Sequence, residues 1–165
     1  MFRNMQSSRQ HSVDTAALVE QGRAFIDGER DAVANAANLA ALLYASRAAL
    51  NWVGFYFLKG DELVLGPFQG KPACTRIALN SGVCGRAAAE RRTLVVPNVC
   101  AFPGHIACDP ASRSEIVVPL LDGGDVFGVL DADSPIENHF EEDDRLLFEA
   151  IARLFVAGSD FRAGR

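Results

Sequence analysis

The chain predicts an α+β domain, with one central antiparallel sheet and helices packed on it. Three observations point there. Apolar residues recur at helical spacing near both ends, and aromatic or β-branched runs of strand length fill the middle. Polar glycine-bearing tetrads, Lys59-Gly60-Asp61-Glu62 and Asp122-Gly123-Gly124-Asp125, separate two pairs of those runs as hairpin turns would. With 165 residues and no internal repeat or linker, one domain over 13–158 is expected. A polar, disordered tail over 1–12 should precede it and a short tail over 159–165 should follow.

From the N-terminus, Asp14 to Ala48 reads as two helices broken near Asp27-Gly28. In the second, Val33, Ala36, Ala37, Ala40, Leu43 and Tyr44 give a small-residue face that can lie close on a sheet. Trp52 to Leu58 and Leu63 to Leu65 read as a hairpin, Gly66 to Pro72 as a loop and Thr75 to Leu79 as a short strand. Ser81 is placed to cap a short helix from Val83 to Glu90, and Thr93 to Val96 is strand-like. Pro97 to Ser114 carries no regular pattern. A stretch longer than ~12–15 residues without structure of its own is usually functional or disordered, and this one holds Cys100, His105 and Cys108. Glu115 to Leu121 and Val126 to Asp133 form the second hairpin. A last helix runs from Glu141 to about Ala157, its four leading carboxylates suited to the positive end of the helix dipole.

Composition excludes several functions. A net charge of −5 with no concentrated basic face argues against nucleic-acid binding. No apolar run approaches the ~18–20 residues that cross a bilayer, and the polar start lacks a secretory signal's apolar core. A cytoplasmic location is expected. In that reducing compartment four cysteines point to catalysis, metal binding or core positions before a structural disulfide framework. GxSxG and GxxxxGK[ST] are both missing. Cys100, His105, Cys108 and Cys84 could supply four soft metal ligands, but without the paired CxxC spacing of zinc sites no metal is expected.

What remains is thiol chemistry beside acids. Cys74, Cys84 and Cys108 fall in the central part of the chain. Glu115 follows Cys108, and Asp131 and Asp133, two residues apart, share one face at a strand end. A thiolate attacks, and an acid must protonate whatever leaves. His105 reads as a residue that orders the loop through its ring nitrogens rather than as a base.

Six segments carry a resemblance, spread in order from Asn51 to Ser134. They are Asn51-Trp52-Val53-Gly54-Phe55-Tyr56, Gly66 to Lys71, Gly82-Val83-Cys84-Gly85, Ala101 to Asp109, Ser114 to Pro119 and Gly128 to Ser134. Together they resemble the GAF-domain family, specifically its free methionine-(R)-sulfoxide reductases. The resemblance implies a GAF-like fold and reduction of the free amino acid sulfoxide. Cys108 would be the nucleophile, and Cys74 and Cys84 the thiols that resolve its oxidised form. Trp52 would hold the substrate methyl group with Tyr56 beside it. Glu115, Asp131 and Asp133 would bind the ammonium and the sulfoxide oxygen, and backbone N–H groups around Ile106, Ala107 and Cys108 the carboxylate. It further implies thioredoxin as reductant, no bound cofactor and a homodimer. Cys74, placed after a Gly- and Pro-rich loop that could move, is expected to resolve first, with Cys84 secondary. Cys100 stands where the family often has histidine, and the resemblance gives it no role. The alternative is a non-catalytic GAF-type module that senses a small molecule or redox state.

Overall fold

The computed structural model describes residues 3–106 and 108–161, with side chains described from Thr15 onward. Residues 1–2 and 162–165 of the expected tails, and Ala107, lie outside the described residues, whereas 3–12 of the tail expected to be disordered belong to the first helix. Helices α1 (Arg3–Ile26) and α2 (Ala32–Ser46) come first. The chain turns between them at Gly28, in the left-handed region at φ 76°, and the Asp31 carboxylate caps α2 by accepting from Ala34 N–H at 2.9 Å. Then follow β1 (Trp52–Lys59), β2 (Glu62–Gly70), β3 (Arg76–Ala78), α3 (Gly82–Glu90) and β4 (Leu94–Val96). After an irregular stretch come β5 (Ser114–Asp122), β6 (Asp125–Ser134) and α4 (Glu142–Gly158). Glu141 and Asp144 form a reciprocal capping box at the start of α4.

The six strands make one antiparallel sheet in the order β3-β2-β1-β6-β5-β4. Because side chains alternate across a strand, each strand feeds two cores. Val53, Phe55, Ile116, Val118, Leu120, Leu130 and Ala132 face α1, α2 and α4, where Leu39, Leu43, Leu147, Phe148, Ile151 and Phe155 complete the larger core. Trp52, Tyr56, Val117 and Val129 point the other way, toward Val83, Cys84, Ala87 and Ala88 of α3. Among the described residues no helix is long and apolar enough to cross a membrane.

An expected loop also differs. Gly66 to Gly70 is not a loop but the second half of β2, paired with β1 as far as Trp52↔Gly70. The register shifts between Gly54↔Phe68 and Tyr56↔Leu65, so Gly66 and Pro67 both lie opposite Phe55. A bulge absorbs the extra residue and spares Pro67 a ladder N–H it does not have. The irregular segment before β3 is thus short, about residues 71–75. Ser81 stands at the N-cap of α3, but its side chain makes no cap bond.

Candidate active site

Strand register assembles the acidic group. On the α3 face, Asp133 of β6 lies between Trp52 of β1 and Glu115 of β5, its direct cross-strand partners. One pleat along, Asp131 lies between Gly54 and Val117. Gly54 matters here, because a Cβ at that position would sit 2.7 Å from Trp52 Cη2. Its absence lets the indole lie along the strand, stacked between Phe68 and Tyr56 at 5.4 and 5.9 Å. Trp52 Nε1–H donates to Lys71 O at 3.1 Å, and Tyr56 O–H donates to Cys74 O at 2.9 Å. Both aromatic residues thereby hold the chain that carries Cys74.

These side chains line a small, partly enclosed cavity of about 40 Å³. Trp52, Tyr56, Cys84, His105, Ile106, Cys108, Glu115, Asp131 and Asp133 border it, with Pro72, Ala73, Ile77, Val83, Asp109 and Ser112. Cys74 and Cys108 are joined in a disulfide across its mouth, with Cα atoms 5.8 Å apart. Cys84 is buried on the floor with its thiol free, whereas Cys100 is exposed and lies off the cavity. Cys84 Sγ–H donates to Glu115 Oε1 at 3.9 Å, and His105 Nε2 stands 3.6 Å from Glu115 Oε2. The Cys108 N–H donates to Ile106 O at 3.1 Å, so that N–H has a partner within the loop. Arg113 bonds the Pro110 and Ser112 carbonyls and does not border the cavity.

Burial governs the electrostatics. Glu115 and Asp131 are 6% exposed, and desolvation together with the charge of Asp133 pushes both well above the ordinary carboxylate range. Asp133 rises to about 6, mainly by burial, against the opposing effects of a Ser112 hydrogen bond and nearby His105. Cys84 is pushed well above the usual thiol range, first by burial and then by Asp131 and Glu115. One oxygen of Asp131, Oδ1, is buried with no hydrogen-bond partner. Burial thus favours the protonated forms of Glu115 and Asp131, and the orphaned oxygen has an unmet demand for a cationic or proton-donating guest.

Sequence reading did not single out the residues that pin the loop. Asn51 Nδ2 donates to Asp109 Oδ2 at 3.1 Å and to Ser112 Oγ at 3.0 Å. Asp109 also accepts from Ala111 N–H at 2.9 Å and pairs with Lys71 at 3.6 Å. Asn51 and Asp109 lie 58 residues apart, and no local pattern announces such a pair.

The GAF domain family matches residues 30–157. The free methionine-R-sulfoxide reductase of Escherichia coli K12 is 46% identical over 150 residues, 89% of this chain and 91% of the relative. The chain belongs to the GAF family, in its free methionine-R-sulfoxide reductase branch. A Neisseria meningitidis free methionine-R-sulfoxide reductase, solved in complex with its substrate, superposes with a TM-score of 0.84 at 46% identity over 87% of both chains. A Burkholderia vietnamiensis structure assigned provisionally to a GAF sensor superposes with a TM-score of 0.87 at 56% identity, over 90% of this chain and 95% of that one. The GAF fold is thus shared by proteins named for an enzyme and for a sensor.

Proposed function

We propose that this chain reduces free methionine-(R)-sulfoxide to methionine by thiol chemistry, with Cys108 as nucleophile and Cys74 as first resolving thiol. The observation that carries the reading is the Cys74–Cys108 disulfide at the mouth of a cavity floored by Glu115, Asp131 and Asp133. A sensor pocket has no need of that pairing. In the reduced protein the Cys108 thiolate attacks the sulfoxide sulfur. The S–O bond breaks as the oxygen takes a proton from the Glu115–Asp131 pair, whose raised pKa values keep a proton available. The hydroxyl oxygen passes to the Cys108 sulfur as the bond between Cys108 and the methionine sulfur breaks, so methionine leaves and Cys108 is left as sulfenic acid. Cys74 then displaces that oxygen as water, giving the disulfide, and an external dithiol of the thioredoxin type reduces it by exchange. The two thiols supply both electrons, so no bound cofactor or metal takes part.

Asp133, the least shifted of the three acids, is the partner for the substrate ammonium. Trp52, backed by Phe68 and Tyr56, is the wall for the methyl group, and the loop around Ile106 and Cys108 receives the carboxylate. Cys84 is the secondary resolving thiol, its high pKa and buried place fitting it to follow rather than lead. Recycling by a dithiol suits a reducing compartment, the cytoplasm, and exposed Phe25, Val33 and Tyr44 on α1 and α2 suit a homodimer. The test is Cys108→Ser, assayed for methionine formed with thioredoxin recycling and checked for fold by circular dichroism. The folded variant should be inactive, and appreciable turnover would sink the assignment.

A further inference from the structure

The floor of the cavity holds more than an ammonium or a sulfoxide oxygen can use. Cys84, Glu115 and Asp131 are all buried, and each turns one donor atom toward the others, the three atoms lying within 4.8 Å of one another. An ion centred among donors so spaced would stand within about 2.8 Å of each. Shifts of roughly half an ångström would then bring sulfur and oxygen to the ~2.0–2.3 Å of zinc bonds. Asp131 Oδ1 is buried without a partner, an orphaned acceptor in a residue 6% exposed. His105 borders the same cavity, with Nε2 3.6 Å from Glu115 Oε2 but outside the group of three, and reaches a fourth position only by a shift of its own.

We propose that a zinc-like soft divalent cation binds at Cys84, Glu115 and Asp131, with His105 as fourth ligand, and excludes the sulfoxide from the pocket. The donor chemistry selects the ion. One thiolate, one imidazole and two carboxylates form a mixed sulfur, nitrogen and oxygen set suited to zinc, whereas calcium and magnesium require oxygen alone. The cation would neutralise carboxylates that now crowd one another in a dry site, and binding releases the Cys84 thiol proton to solvent. Its location differs from the Cys100, His105 and Cys108 spacing in the sequence, because Cys100 lies off the cavity and Cys108 is bonded to Cys74. Cys84 is the donor that gives the floor its softness. The inhibitory consequence rests on the reductase reading, but the binding does not.

The experiment uses the full chain in its Cys74–Cys108 disulfide form, with Cys100→Ser to remove the exposed thiol. Cys84 is then the one remaining thiol. Cobalt(II) is titrated in, and the thiolate-to-cobalt charge-transfer absorption is followed. One equivalent should produce the band, zinc(II) should displace it, and free methionine sulfoxide should compete with it. Adding Cys84→Ser should abolish the band, and Asp131→Asn, which leaves the thiol in place, should weaken zinc binding at least ~10-fold, with circular dichroism confirming the fold of each variant. No band in the Cys100→Ser protein, a band that survives Cys84→Ser, or zinc affinity unchanged by Asp131→Asn would each overturn the proposal. Reductase activity of the metal-free protein is measured in parallel, so a failure of zinc binding is distinguished from a failure of the catalytic reading.

Discussion

At the scale of single residues, the proposed mechanism gives Cys108 and Cys74 separable tasks. Cys74→Ser should still release one methionine per chain in a burst, since Cys108 remains. Its thioredoxin-supported turnover should fall by ten-fold or more, because only buried Cys84 is left to resolve. Rapid-quench measurement of the burst alongside the steady state checks this, and an unchanged steady-state rate would reassign the resolving role. Asp133 makes a prediction about stability. Its carboxyl is raised in the fold to about 6 from an ordinary value of 3.8. Its favourable contribution is therefore full below the unfolded value and lost as pH rises through about 6. The cost at neutral pH is on the order of 2–3 kcal/mol at about 1.4 kcal/mol per unit. Asp133→Asn should thus be more stable than the parent at pH 7, with the difference shrinking toward pH 4. Urea midpoints measured across that range decide it, and a pH-independent difference would refute the linkage. A site residue that costs stability while the pocket is empty is an expected feature of function.

At the scale of elements, β1, β5 and β6 build the site through their register, and Gly54 is its narrowest point. A Cβ at Gly54 would press on Trp52 and on the Phe68 backbone, 2.9 Å from its Cα. Gly54→Ala should lower the urea midpoint by the equivalent of about 1–3 kcal/mol, as overpacking does, and raise KM for the sulfoxide by displacing the indole. A normal KM in a folded variant would show that the indole does not shape the pocket. Legibility in the sequence was uneven here for physical reasons. Strands with strict alternation and the Asp122 to Asp125 turn could be read locally, as could the shared face of Asp131 and Asp133. The second half of β2 could not, because Gly66 and Pro67 signal a turn and only pairing with β1 makes them a bulge. The six segments placed Trp52, Glu115, Cys84 and Cys108 in one family pattern, yet nothing local joined Asn51 to Asp109 or set His105 beside Glu115. Those contacts exist only once the long loop has folded over the sheet.

For the whole molecule, a two-core sheet puts a rigid helical layer behind the pocket and a short α3 with an irregular loop in front of it. The proposed substrate is a small, doubly charged guest. Leaving a buried charge without its partner costs ~3–5 kcal/mol, so N-acetyl-methionine sulfoxide should be reduced with kcat/KM at least ~100-fold below that of the free amino acid. Comparable values would show that the substrate's charges are not read. The most direct test of the whole account is a single turnover without any external reductant. Fully reduced protein is mixed with excess free methionine-(R)-sulfoxide, the methionine formed and the thiols remaining are counted, and the disulfide is mapped by peptide mass. The account predicts one methionine per chain, two thiols lost and a Cys74–Cys108 bridge. Binding of the sulfoxide with no methionine formed and all four thiols intact would contradict it and leave a sensor.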